Sequence, residues 1–455
     1  MDPLLASEDI AYAGVLGQRD LLRGGRLTSV QLVELCLARI ARLDGHLRAF
    51  RTVLTDSARS EAAAADAARA AGQDWPLLGI PVAVKDSVAI AGTAAMQGTG
   101  SPEPAATHDA ELVRRLRAAG AVVIGTTNLP ELALWPFTES ATWGITRNPW
   151  SPGHTSGGSS GGSATAVAAG MVAAATASDG GGSIRIPAAS THLVGLKPER
   201  GRVPLGPDAS PVDHWYGMSV AGVLTRDVAD QAYVLAVLAG TALEVREPGT
   251  LTVAWSTRGA VPTRVAPAVR GALQGILTVL WGLGHRVVEA DPDLSGVQAS
   301  FLARYGAGAA QDLARLADPS RTEPRTRAVG RVGRRISPRM LARAQAAGDR
   351  AAARLAVLPG GADVLVTPVL PSPPERVGAH TGLRTLATAG RRAAFTVAWN
   401  VTGQPAISVP AGLTADGLPL AVQLVGRPGQ EQLLLGLAAQ IERLTGFPSR
   451  RPRMV

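Results

Sequence analysis

Two glycine–serine clusters hold most of the chemistry that this chain can offer. They are Ser156-Gly157-Gly158-Ser159-Ser160-Gly161-Gly162-Ser163 and Asp179-Gly180-Gly181-Gly182-Ser183. Consecutive glycines let the backbone approach a ligand closely and turn several N–H groups toward one point. Such a nest suits a phosphate or the oxyanion of a tetrahedral acyl intermediate. Neither cluster is a Walker A loop, and neither has the GxGxxG spacing of a dinucleotide fold. The chain has only two lysines, Lys85 and Lys197, against 43 arginines. Arginine keeps its proton near neutral pH, whereas a buried lysine can release one. A serine nucleophile activated by a desolvated lysine is a known form of triad chemistry, and Lys85 follows the apolar run Ile80-Pro81-Val82-Ala83-Val84. The seven histidines are dispersed without a partner at metal-ligand spacing, and nothing selects one for a Ser–His–Asp triad. On residue types alone three readings stand: serine acyl transfer, a phosphate site, or structural turns.

Positioning these residues requires a scaffold, and its rhythm is visible. GIPVAVKD at 79–86 reads as a short strand ending near Lys85. Thr28 and Gln31 fit a capping box ahead of a stripe of Leu32, Val33, Cys36, Ile40 and Leu43, which predicts a helix with Cys36 in its core face. Residues 57–72 and 108–119 read as helices and 121–125 as a buried strand. The stretch 140–162 is turn-rich, and the Ala-dense run 163–175 suits a helix buried against a sheet. Strands are expected at 251–255, 286–289, 363–370, 406–412 and 418–426, with helices at 265–281, at 337–356 and from about Glu431. Alternating helices and apolar strands predict an α/β protein with helices on both sheet faces.

Composition narrows the function classes. A chain of 455 residues can bury roughly three quarters of the surface its unfolded form exposes. The formal charge is +9, but residues 321–350 hold nine arginines against Glu323 and Asp349, so +7 lies in that one stretch. An evenly basic nucleic-acid surface is therefore not expected. The segment 321–335, with Pro324, Gly330 and Gly333, reads as an exposed excursion. Aromatic residues are only 4% of the chain, too few for an extended stacking platform. One cysteine excludes an intrachain disulfide and a CxxC zinc pair. The N-terminal residues lack the basic head and apolar run of a secretory signal, and no apolar stretch is long enough to span a bilayer. A soluble cytoplasmic protein is the expectation.

The segment from Gly157 to Arg185 resembles the signature of the amidase signature family, serine hydrolases with a Ser–cis-Ser–Lys triad. GIPVAVKD at 79–86, AGAVVIGTTNLPELA at 119–133, TRNPW at 146–150, GLKPERGRVP at 195–204, TGQPAISVPAG at 402–412 and GLPLAVQLVGRPGQE at 417–431 continue the likeness in order. The resemblance covers nearly the whole chain. It implies a single large domain over 1–455: a helical arm to about 75, a signature core over about 76–235, and the rest of a central mixed, twisted sheet beyond. It also implies Ser183 as nucleophile, Ser159 as the middle serine with a cis Gly158–Ser159 bond, and Lys85 as proton acceptor. The oxyanion hole would use the N–H groups of Gly180, Gly181 and Gly182, although the family often has Thr at the position of Gly180. Asp179 and Arg185 would brace this loop, with Gly158, Ser160 and Ser163 as further supports; Ser160 reads equally well as a helix cap. Asp86 points to the opposite strand face from Lys85 and is left out of the relay. The implied activity is hydrolysis of a small-molecule amide, with no metal or organic cofactor, no direct nucleic-acid contact and no membrane, in a monomer or homodimer. The glutamine-hydrolysing subunit of a tRNA-dependent amidotransferase is the alternative, weakened by LGPDASPVDHWYGMSVAG after residue 204. A catalytically inactive binding or structural relative is the alternative of another class. Trp135 and Phe137, and Trp215 and Tyr216, are candidates for a substrate pocket or for core packing.

Overall fold

The computed structural model describes residues 7–204, 214–380 and 385–453. Residues 205–213, which begin the divergent stretch after 204, lie outside the described residues. Eleven strands form one mixed sheet: β1 (Phe50–Val53), β2 (Pro81–Lys85), β3 (Val122–Thr127), β4 (Ala174–Asp179), β5 (Val194–Lys197), β6 (Val220–Thr225), β7 (Thr252–Trp255), β8 (Arg286–Glu289), β9 (Val364–Pro368), β10 (Ala406–Leu413) and β11 (Pro419–Val425). Their spatial order is β1-β3-β2-β4-β6-β5-β10-β11-β9-β7-β8. β2 runs parallel to both β3 and β4, whereas β4, β6, β5, β10, β11 and β9 pair antiparallel in turn. The strands with the sequence's two lysines, β2 and β5, therefore both lie inside the sheet.

Alternation along the strands explains why both faces must be covered. Val82 and Val84 of β2 join Leu112, Leu116 and Leu235 in one apolar cluster. Ala83 joins Ile124, Val33, Cys36 and Ala164 in another. Helices Glu111–Ala118 and Val228–Ala239 thus cover one face, and α1 (Ser29–Leu47) and α2 (Gly161–Ala168) the other. α1 begins as its sequence implies: Thr28 accepts from the Gln31 N–H and the Gln31 side chain accepts from the Thr28 N–H. Cys36 is buried in its core face.

Two expectations are corrected. The Ala-dense run is not one helix; α2 stops at Ala168, the chain turns, and 174–179 enters the sheet as β4. Alanine's small side chain suits a central strand pressed by helices from both sides, so helix propensity yields to packing there. The Arg-rich segment is not an exposed excursion. Residues Pro324–Gly333 form a helix that packs on α4 (Val297–Arg315), after α3 (Arg185–Thr191) in chain order. Thr326, Val329, Gly330 and Gly333 are buried in that contact, and a Cβ on Gly333 would collide with the Gly306 carbonyl. The two glycines that suggested a loop are there because two helices approach closely.

Candidate active site

Strand β2 delivers Lys85 to the interior, where its side chain is fully buried. Its amine lies 2.8 Å from Ser159 Oγ and 2.8 Å from Ser178 Oγ, and its backbone N–H donates to Thr176 Oγ1 at 2.9 Å. Burial pushes the amine down from 10.5 to about 7, against the opposing pull of the Asp179 carboxylate. Both protonation states are therefore populated near neutral pH. Asp86, the next residue, faces away and pairs with Arg51 at 2.7 Å.

Ser159 is fully buried, and the Gly158–Ser159 peptide bond is cis. The backbone of 135–137 crosses so close that a Cβ on Gly158 would sit 2.5 Å from the Phe137 nitrogen. Ser160 occupies the position before α2 but does not cap it; its hydroxyl meets the backbone of Ser178, 3.3 Å from both the carbonyl and the N–H. Ser163 donates to the Thr176 carbonyl and meets Thr127 Oγ1 at 2.7 Å. The serine-rich cluster is thus stitched to β4. Gly157-Gly158-Ser159-Ser160-Gly161 also satisfies the GxSxG spacing of a nucleophile elbow. Among the described residues, however, no histidine hydrogen-bonds to Ser159 or Ser183.

The second cluster turns around Asp179. Its carboxylate accepts from the N–H of Gly182 at 2.6 Å and of Ile184 at 3.2 Å, and from Arg185 Nε and Nη2 at 2.9 Å each. Burial opposes ionisation, but the Arg185 guanidinium holds this carboxyl below its ordinary value. Arg185 is itself fully buried and also donates to the Thr396 carbonyl, Gln423 Oε1 and Asn400 Oδ1. Asn400 returns a bond to Asp179 at 2.8 Å, and Thr396 Oγ1 donates to the Gly181 carbonyl at 2.6 Å. Gly182 therefore departs from the expectation for the oxyanion hole, because its N–H is already given to Asp179. The N–H groups of Gly180, Gly181 and Ser183 make no hydrogen bond among the described residues. Ser183 Oγ makes none there either; it faces a cavity instead of bonding to Ser159.

That cavity, of about 80 Å³, is lined at one end by Gly181 and Ser183 and elsewhere by Trp135, Trp215, Phe301 and Tyr305. Of the four candidates for a substrate pocket, Trp135 and Trp215 line this cavity. Phe137 and Tyr216 do not: Phe137 is buried in a stack with His380, and Tyr216 is half-buried with its carbonyl accepting from Arg304. A second cavity of about 290 Å³ touches Ser178 and is bordered by His214, Asp312 and Arg315. Sequence reasoning missed Ser178, Asn400, Gln423, Phe301 and Tyr305. Ser178 immediately precedes the aspartate of a cluster already singled out, which was the one local signal it offered. The other four had no local signal.

A strand-borne lysine, a buried serine beside it and a braced glycine turn form an arrangement able to activate a serine hydroxyl. The chain belongs to the amidase signature family: the Amidase family model matches residues 31–435. It is 46% identical over 466 residues to AmiB2, a candidate amidase of Mycobacterium tuberculosis, with 99% of each chain covered. It is 33% identical over 489 residues to the 6-aminohexanoate-cyclic-dimer hydrolase of Paenarthrobacter ureafaciens, with 96% of each covered. Among solved structures, a 6-aminohexanoate cyclic dimer hydrolase superposes with a TM-score of 0.88 at 29% identity, covering 98% of this chain and 99% of that one. The peptide amidase of Stenotrophomonas maltophilia does so with a TM-score of 0.81 at 28% identity, covering 97% and 98%. The general chemistry of this chain is accordingly that of an amidase-type hydrolase. No helix among the described residues is long and apolar enough to cross a membrane.

Proposed function

We propose that this amidase cleaves small amides whose acyl group is apolar and uncharged, through an acyl-enzyme on Ser183. The carrying observation is the fully buried Lys85 amine 2.8 Å from Ser159, together with a cavity lined by Ser183 and by no charged side chain among its described residues. In its neutral form Lys85 donates to Ser178 and accepts from Ser159. Ser159 then takes the proton of Ser183 as Ser183 Oγ attacks the amide carbonyl. This requires Ser183 Oγ to turn from the cavity to Ser159 when substrate binds, since catalytic hydrogen bonds commonly tighten only in the complex. The N–H groups of Gly180, Gly181 and Ser183 receive the developing oxyanion, the largest electrostatic contribution in such steps. Gly182 serves differently, fixing the turn through Asp179. The relay returns a proton to the departing ammonia or amine, and water releases the acid. No metal or organic cofactor enters this scheme.

Glutamine is a poor fit to this reading, because its α-ammonium and α-carboxylate would enter a cavity whose described lining offers no countercharge. That favours a stand-alone enzyme, monomeric or homodimeric and cytoplasmic, over an amidotransferase subunit with a nucleic-acid complex. An inactive relative would have no need of a buried amine beside two hydroxyls. The test is a screen of aliphatic, aryl and peptide amides, anilides and glutamine, with mass spectrometry of the trapped acyl-enzyme. Glutamine as the best substrate, or acylation at a serine other than Ser183, would overturn the proposal.

A further inference from the structure

The arginine-rich helix Pro324–Gly333 takes no part in the relay, yet it presses on the cavity wall from behind. We propose that Arg325 is a positioning residue that sets which acyl groups are accepted, by holding Trp135 in place. The inference rests on the reading of the cavity beside Ser183 as the acyl site. The Arg325 guanidinium carbon lies 5.4 Å from the ring centre of Trp135 and 5.1 Å from that of Phe137, within range for cation–π attraction. The two rings stack on each other with centroids 6.0 Å apart, and Phe137 stacks on His380 at 4.4 Å. Of these rings Trp135 faces the cavity. Its indole N–H is buried and has no hydrogen-bond partner among the described residues, so packing and the guanidinium set the ring's angle.

The same arginine is anchored to the segment that carries the ring. Nη2 donates to the Glu139 carbonyl at 2.9 Å and Nη1 to the His380 carbonyl at 3.3 Å. Its Nε pairs with Glu323, whose other carboxylate oxygen accepts from the Ala141 N–H at 2.9 Å. The Glu323 N–H in turn donates to Glu131 at 2.8 Å. The helix start is thus riveted to residues 131, 139 and 141, on both sides of Trp135. A planar, forked cation can stack and donate at once; a lysine ammonium, a point charge on a flexible stem, cannot do both.

The test is steady-state kinetics of the full chain on primary amides of increasing acyl size, from acetamide through benzamide to naphthamide. Arg325→Met should raise KM for the aryl amides by about tenfold while leaving kcat/KM for acetamide within about twofold, with the pH midpoint of kcat/KM unchanged. Arg325→Lys, which keeps the charge toward Glu323, should move KM in the same direction and serves if the methionine variant does not fold. Trp135→Leu should likewise raise KM for the aryl amides, and adding Arg325→Met to it should raise that KM no further. A uniform loss of kcat across the series, or additive losses in the double variant, would overturn the proposal. If the wild type hydrolyses none of these amides, the acyl-site reading fails instead. The brace is then read by amide hydrogen exchange in residues 131–141, expected to be at least about fivefold faster in Arg325→Met and overturned by unchanged exchange.

Discussion

Replacing Lys85 with methionine should abolish amide hydrolysis and, near pH 7, make the protein more stable. Burial lowers the Lys85 pKa from 10.5 to about 7, with Asp179 opposing the change. In the unfolded chain the same lysine stays protonated up to about pH 10.4. Between about pH 7 and pH 10 the unfolded state therefore binds one more proton than the folded state. Stability from this group rises with pH across that window, and at pH 7 the folded state bears the full cost. The fall from 10.5 to about 7 corresponds to about 5 kcal/mol at 1.36 kcal/mol per pH unit. Methionine removes that cost but strips Ser159 of its amine partner, which offsets about 1–3 kcal/mol for a buried hydroxyl. Ser178 borders a cavity and is not fully buried, so it contributes less. A net gain of about 2–4 kcal/mol at pH 7 follows, shrinking as pH rises and reversing between about pH 8 and pH 10. Urea unfolding of wild type and variant from pH 6.5 to 10 measures it. The difference between the two cancels groups common to both, including Lys197, which burial also lowers to about 7. A difference that does not vary with pH, or a variant less stable at pH 7, would refute the reasoning.

Activity should follow the same group: kcat/KM of the wild type is expected to rise through about pH 7, and Lys85→Arg should lose more than about tenfold on amides because guanidinium keeps its proton. Ser183→Ala should show no covalent adduct by mass spectrometry after exposure to a fluorophosphonate, while the wild type takes up one. Asp179→Asn leaves the buried Arg185 without its carboxylate and should cost about 3–5 kcal/mol in denaturant unfolding; a loss below about 1 kcal/mol would contradict the bracing role. Gly333→Val should destabilise by about 1–3 kcal/mol without altering the pH profile, because its side chain would meet the Gly306 carbonyl and Ala310 and not Lys85, Ser159 or Ser183.

What the sequence revealed depended on how local each signal was. The capping box at Thr28, the alternation in β2 and the glycine runs are written within a few residues of where they act, and they led directly to α1, Lys85 and the two turns. The Ala-dense run misled because alanine favours a helix in isolation, and only the neighbours of β4 reveal a strand. Glycines at 330 and 333 look the same in sequence whether they bend a loop or admit a second helix. Ser160 was legible as a cap by position, yet its hydroxyl found the backbone of Ser178. Asn400 and Gln423 were out of reach for another reason: their partner Arg185 lies 215 and 238 residues away, and a single sequence records no contact at that distance.

Those long separations also bear on when the enzyme becomes competent during synthesis. The turn that carries Ser183 leaves the ribosome early, but Arg185 finds Thr396, Asn400 and Gln423 only once nearly the whole chain is made. At about 5–20 residues per second, the turn waits on the order of ten to fifty seconds for the segment that completes it. Until then the carboxylate of Asp179 and its arginine have each other but not their outer partners. A nascent or prematurely terminated chain ending before residue 396 would contain Lys85, Ser159 and Ser183 and still lack the framework that aims them. An incomplete chain is therefore expected to lack hydrolytic activity by topology alone.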